Sequence, residues 1–233
     1  MIRSIAVKKI LIMAFAVSLI NIAYAQNTFF PTKAGTVLNY VQNDAKGKVS
    51  GYSKLTVKEV KGSGKNMTIS YVGESFDKNR KPLSDPPVEI DYTITVKNGV
   101  VFMDMSQFYT SMMKEMAGMK VTGTPLELPD NLQPGQTLKD ANVTMTMDVG
   151  IMKMKTVIKM TDGKCLAIED VKVPAGTFKC HKITQTVTTT VMKKDTVGTT
   201  IAWYAPNIGT VKTETYDSKK KLTGSMELIE LTK

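Results

Sequence analysis

The chain has 233 residues, 31 Lys or Arg against 21 Asp or Glu, one histidine and two cysteines. That length admits one β domain or two small ones. The residue inventory excludes a zinc-type ligand cluster, and no Gly-rich phosphate loop or G-x-S-x-G elbow is present.

Residues 1–25 read as a cleavable leader. Arg3, Lys8 and Lys9 form a basic start, Ile10 to Ile20 is apolar apart from Ser18, and Ala23-Tyr24-Ala25 supplies an A-x-A cleavage site before Gln26. The apolar run is too short to span a bilayer, so no integral membrane segment is expected after cleavage. No cysteine follows the site, which argues against a bacterial lipid anchor. The expected product, 26–233, is periplasmic or secreted. Losing the leader takes the basic count from 31 to 28 against 21 acidic residues, a net +7. The lysines are spread over strands and turns and read as a solvated face. A basic surface also suits acidic glycans or anionic headgroups. An exported chain without an aromatic-basic motif is not expected to bind nucleic acid.

Taken in order, the mature chain reads mostly as strands. Phe29-Phe30-Pro31 is an apolar arm. Strands are expected over 36–43, 49–60 and 67–76, with a glycine turn at 44–48 and a proline-rich loop at 77–87. Ile90, Tyr92, Ile94 and Val96 alternate on one strand face, and Asn98-Gly99 is a strong hairpin signal. Then the period changes. Asp104 with Gln107 resembles a capping box, and Met105, Phe108, Met112, Met116 and Met119 follow at helical spacing. A helix is expected over about 104–117, stopped near Gly118. Residues 122–140 hold three prolines and two glycines and read as a long loop over the site.

The β pattern resumes at Asn142. A turn at Val149-Gly150 would pair Met147 with Met152 and Met145 with Met154. Asp162-Gly163 reads as a further hairpin. Pro174-Ala175-Gly176 reverses the chain again, with Ala175-Gly176 as its two-residue loop. On that register Cys165 lies six positions from the residue facing Cys180, roughly 20 Å away. A disulfide needs Cα atoms within about 7 Å, so two unpaired, mostly buried thiols are expected. Trp203 lies on the strand that ends at Ala205, and further strands run to Leu231. The fold class expected is mainly β: a curved antiparallel sheet, a half-barrel or open-barrel meander, with one amphipathic helix inserted on its concave side. With no linker in view, 26–233 is read as one domain.

Val173-Pro174-Ala175-Gly176-Thr177-Phe178 with Cys180, Trp203-Tyr204-Ala205-Pro206-Asn207-Ile208-Gly209, and Leu128-Pro129-Asp130-Asn131-Leu132 with Gly135-Gln136 together resemble the TapB-like family of exported Gram-negative proteins. This family is related to a larger family of domains of unknown function. The resemblance covers essentially the whole mature chain. It implies a half-barrel similar to lipoprotein carriers and lipocalins, and it transfers no catalytic residues.

Cys180 and His181 are neighbours, but adjacent strand residues point to opposite faces, so a nucleophile–base pair is not expected. The 16 methionines include Met-x-Met units at 103/105, 145/147 and 152/154. Thioethers suit Cu(I). Methionine also fills irregular cores, and alternate strand positions are core positions. The reading is therefore a core or an adaptable lining, with no metal and no cofactor. The expected lining is Met105, Phe108, Met112, Met116, Met145, Met147, Met152, Met154 and Trp203. The expected role is non-enzymatic: binding a lipid-like ligand or an apolar partner segment in the concave sheet. The alternative is a cell-envelope or secretion assembly factor acting through its surface.

Overall fold

Alternating apolar and polar positions need a partner surface for their apolar face, and here one long sheet supplies it to itself by curling. The computed structural model describes residues 28–83, 89–112, 118–149 and 152–233; the expected leader, Met116 and the turn residues 150 and 151 lie outside them. The strands are β1 (Val37–Asp44), β2 (Val49–Ser63), β3 (Asn66–Asp77), β4 (Ile90–Lys97), β5 (Val100–Met103), β6 (Met119–Thr124), β7 (Leu126–Pro129), β8 (Ala141–Val149), β9 (Met152–Val173), β10 (Gly176–Val191), β11 (Lys194–Ala205), β12 (Gly209–Asp217) and β13 (Leu222–Thr232), with one helix, α1 (Met105–Met112), between β5 and β6. They form a single sheet in the order β6-β8-β9-β10-β11-β12-β13-β1-β2-β3-β4-β5-β7. Every neighbouring pair is antiparallel. The fold is mainly β, as expected, and it curls further than a half-barrel. The two edge strands, β6 and β7, are consecutive in the chain and separated by Pro125 alone. A sheet whose edges are joined by one residue must bend round until they meet. The result is a nearly closed barrel.

The stretch 122–140 is therefore not one loop. β6 and β7 occupy most of its first part, and residues 135–138 are tied to β9. Leu138 N–H donates to the Gly163 carbonyl at 2.8 Å, Cys165 N–H to the Gln136 carbonyl at 2.9 Å, and Gly135 N–H to the Cys165 carbonyl at 2.8 Å.

Asp162-Gly163 makes no hairpin. β9 runs unbroken through it for 22 residues. Thr186 faces Thr161 and Thr184 faces Lys164, so two residues of β9 stand opposite Gln185 of β10. This is a β-bulge, with Asp162 at φ 54°. β8 pairs with β9 only as far as Met160, and beyond it residues 135–138 take up the backbone groups on that edge of β9. A second bulge at Leu166 leaves that side chain exposed.

Other turns slip by one position. Met147 pairs with Met154 and Val149 with Met152. The expected pairs were two residues out of register, which keeps every side chain on its face. In the β9–β10 hairpin Gly176 pairs with Val173, so the loop is Pro174-Ala175 and Cys180 faces Glu169. The β10–β11 turn is Met192-Lys193, both at positive φ. Asn98-Gly99 forms the expected tight hairpin, with φ of 52° and 80°.

Two buried clusters hold the barrel. The first gathers Phe29, Phe30, Ile69, Tyr71, Ile94, Val101, Leu128, Cys165 and Ile183. The second gathers Leu38, Tyr40, Val173, Cys180, Trp203, Ile208, Val211 and Leu228. The N-terminal arm is thus part of the core: the Phe29 ring meets His181 edge-on at 5.0 Å, and Phe30 meets Tyr71 and Tyr204. Burying each such side chain contributes about 1.5–3 kcal/mol. Both thiols are free and fully buried, one in each cluster. The tip of the β9–β10 hairpin folds onto β13, where Ala175 N–H donates to the Leu228 carbonyl at 3.2 Å.

Candidate functional site

The inner faces of β1 to β4 do not fill the barrel. A cavity of about 350 Å³ remains between them and α1. Its walls follow the two-residue period of the strands. β1 contributes Leu38, Tyr40 and Gln42, β2 Ser53 and Leu55, β3 Gly73 and Ser75, and β4 Ile90, Tyr92 and Ile94. Met103, Met105 and Phe108 close one side, and Phe30 with Ile208 closes one end.

Gly73 is where the space comes from. It stands between inward-facing Tyr71 and Ser75 and has no side chain to place there. A Cβ at Gly73 would meet only ordinary contacts, the closest being the Ile90 carbonyl oxygen at 3.6 Å.

The helix is held at the cavity by its first turn. Asp104 Oδ1 accepts from Ser106 N–H at 2.9 Å and from Ser106 Oγ–H at 2.6 Å. This is an Asp N-cap; Gln107 is exposed and does not complete the box. α1 packs against β4 and β6, one from each side of the closing seam. Phe108 meets Tyr92 edge-on at 6.0 Å, and Tyr92 stacks on Tyr71 at 5.2 Å with their rings 13° apart. Tyr71 and Tyr92 are direct cross-strand partners, which accounts for the stack.

The polar side chains of the wall include Gln42, Ser53, Ser75 and Asp104 with the phenols of Tyr40 and Tyr92. Tyr40 Oη–H donates to the Thr210 carbonyl at 3.0 Å. Burial pushes the ionisation of Tyr40, Tyr71, Tyr92 and Tyr204 upward, and for the first three neighbouring tyrosines add to it. They therefore remain neutral hydrogen-bonding groups at any physiological pH. The site can hold an apolar body and meet one or two polar atoms of it. Among the described residues the wall holds no thiol or imidazole.

Of the expected lining residues, Met105 and Phe108 are in the cavity wall. Met145 is buried and Met147 half-buried on β8, away from that wall. Met154 is exposed. Met112 belongs to α1 and Met152 opens β9, but their side chains, like Met116 as a whole, lie outside the described residues. Trp203 is in the second cluster, not at the cavity. Its Nε1–H donates to Glu169 Oε1 at 2.8 Å, and Lys182 and Lys212, its cross-strand partners, place their ammonium groups 5.1 and 5.5 Å from its ring. That hydrogen bond, with Lys182, holds the Glu169 carboxyl below its usual range. The methionine stripe marks apolar faces in general, and only the sheet's curvature decides which of them border a void. Gly73 carried a readable signal: a lone glycine inside a strand marks a place left open.

Cys180 and His181 point to different clusters. Cys180 is in the second, and burial with the nearby Asp170 and Glu169 carboxylates pushes its thiol up to about 12. His181 sits against Phe29 of the first with its Nδ1 unpaired.

A family model described as DUF3108-like matches residues 33–228. The chain belongs to the DUF3108-like family. No curated protein matches it. Among solved structures it is similar to a Bacteroides fragilis protein inferred to be exported and described as having a YmcC-like fold, at 22% identity and a TM-score of 0.71, covering 89% of this chain and 100% of that one. It is also similar to a Parabacteroides distasonis protein inferred to be a lipoprotein, at 24% identity and a TM-score of 0.73, covering 88% and 99%. At these identities the likeness is one of fold. Among the described residues of this DUF3108-like chain no helix is long and apolar enough to cross a membrane.

Proposed function

We propose that this chain is an exported, non-enzymatic binding protein that holds a lipid-like ligand, or an apolar segment of a partner, in the cavity between β1–β4 and α1. The observation that carries this reading is the cavity itself: about 350 Å³, walled mainly by aromatic and aliphatic side chains, with hydroxyls, the Gln42 amide and the Asp104 carboxylate at its edge, and kept open at Gly73. That volume is at the small end of ligand sites, roughly 300–1,000 Å³, and fits one chain of an amphiphile rather than a whole phospholipid. The cysteines and the histidine have been assigned structural surroundings, which supports a role without catalysis.

Export through the leader at 1–25, release without a lipid anchor and the finer TapB-like relationship belong to the same proposal. Gln26, not cysteine, follows the cleavage site. The intact mass of the chain recovered from its own compartment tests this, with a start at Gln26 and no acyl group expected.

The functional test is native mass spectrometry of gently purified protein, followed by solvent extraction. A discrete lipid-like adduct, absent from Gly73→Leu, is the expected result. A ligand-free mass, with a fluorescent fatty-acyl probe binding Gly73→Leu as well as the parent, overturns the carrier. The envelope assembly factor acting through its surface would then stand in its place.

A further inference from the structure

One end of the barrel carries three copies of the same turn. They are Asp44 to Lys48 between β1 and β2, Asp77 to Lys81 after β3, and Asp217 to Lys221 between β12 and β13. In each, the aspartate Oδ1 accepts the backbone N–H groups of the third and fifth residues, at 2.8–2.9 Å. In each, the first and fifth residues also bond through their backbones, at 2.8–2.9 Å, and the fourth residue has positive φ: Gly47 at 74°, Arg80 at 61°, Lys220 at 61°. The carboxylate is folded back onto the backbone while the cations face out. Backbone bonds hold the Asp44 and Asp77 carboxyls below their usual range, so both stay committed to that role.

The strand order brings these turns together. β12, β13, β1, β2 and β3 are consecutive in the sheet, so the three turns are neighbours on one rim. They hold eight Lys or Arg and three Asp. All eight cations are exposed, and among the described residues none is in an ion pair, although the Arg80 guanidinium lies over the Tyr52 ring, 4.0 Å from its centroid. The β10–β11 turn extends the rim with Lys193 and Lys194. At the opposite end Lys61 pairs with Glu59 at 3.0 Å and Lys65 with Asp130 at 3.9 Å, and the exposed Lys33, Lys97, Lys172 and Lys179 are spread over separate strands and loops rather than gathered in adjoining turns.

A second, independent observation falls on the same rim. Of the seven large apolar side chains exposed among the described residues, six lie there: Val49, Leu83, Met154, Val191, Met192 and Val197. Leu166, at its bulge, is the exception. Exposed apolar groups among unpaired cations are what the interface of an anionic bilayer accepts: the ammonium groups meet headgroups while the apolar tips enter the boundary. A soluble acidic partner would match the cations and leave the apolar tips without a role. Gln42, Ser53 and Ser75, the polar end of the cavity wall, lie on the side nearest this rim.

We infer that this rim docks the protein on an anionic lipid bilayer, cavity end first. The docking does not depend on what the cavity holds.

The test is flotation of the mature chain with phosphatidylcholine vesicles, with and without a minority of phosphatidylglycerol. The parent binds the anionic vesicles, and binding falls as salt rises from about 0.05 to about 0.5 M. Replacing Lys46, Lys48, Lys219 and Lys221 with Gln weakens it about tenfold or more, since each cation at an anionic surface acts nearly independently. The same number of Lys→Gln changes at the other end, at Lys33, Lys97, Lys172 and Lys179, gives an equal net charge and leaves binding within about twofold of the parent. Circular dichroism confirms that both variants are folded. No binding by the parent, or equal loss in the two variants, overturns the proposal.

Discussion

Thr124 and Leu126 stand on opposite edges of one thirteen-stranded sheet, with only Pro125 between them. Thr124 pairs into β8 and Leu126 into β5. Proline has no N–H to offer a ladder and ends one strand before the next begins. This single residue therefore forces the sheet to curl, and the curl makes an interior.

The seam should be a weak point only on its inner face. Leu128 of β7 is fully buried. Leu128→Ala is expected to cost about 2–5 kcal/mol, as for other buried leucines. Lys120→Ala on β6, an exposed position, should stay within about 0.5 kcal/mol. Urea denaturation followed by far-UV circular dichroism compares the two.

The cavity makes an opposite prediction for two glycines. Gly73→Leu puts its side chain into open space, so the protein should keep its melting temperature, or gain a little, while binding of a fluorescent acyl probe is lost. Gly123→Ala has no such room, because a Cβ there would run into the Asn142 carbonyl oxygen. That variant should melt lower. Thermal unfolding and probe titration on both proteins separate filling from clashing.

His181 is the only histidine, which makes a pH test unambiguous. Burial lowers its pKa below the usual 6.5. The folded state thus binds its proton less readily than the unfolded chain does. Its contribution is fully present above about pH 6.5 and is lost as pH falls through the window between the unfolded and folded values. The urea midpoint should fall between pH 7.5 and about pH 5.5, and His181→Gln should flatten that fall. An unchanged slope in the variant would mean that carboxylates dominate there.

The two thiols should behave as core atoms. Burial raises both Cys165 and Cys180 above the ordinary range. Native protein should react with Ellman's reagent far more slowly than denatured protein, in which both thiols react. Unfolding midpoints with and without reductant should coincide, since there is no disulfide to break.

The residues by themselves determined the local elements. Period-two alternation marks β1 to β4 because a pleated strand offers its faces in turn, and Asn98-Gly99 makes its hairpin because both positions need positive φ. Asp104 starts α1 because its carboxylate caps the first turn. These are contacts within a few residues, and a few residues suffice to read them.

Only the tertiary structure decided the rest. Asp162 has the positive φ of a turn residue, yet it sits in a bulge, because β9 stays paired with β10 on both sides of it and residues 135–138 pair with its other edge. Met105 and Phe108 face a cavity while Trp203, equally apolar in the sequence, faces a second core, because the sheet's curvature sets which inner face is left unfilled. Asp44, Asp77 and Asp217 each build a turn from bonds within five residues. Their meeting on one basic rim was not legible, because it comes from pairing β13 with β1, strands at opposite ends of the chain. Charge adds up by distance in space, and the sequence records only distance along the chain.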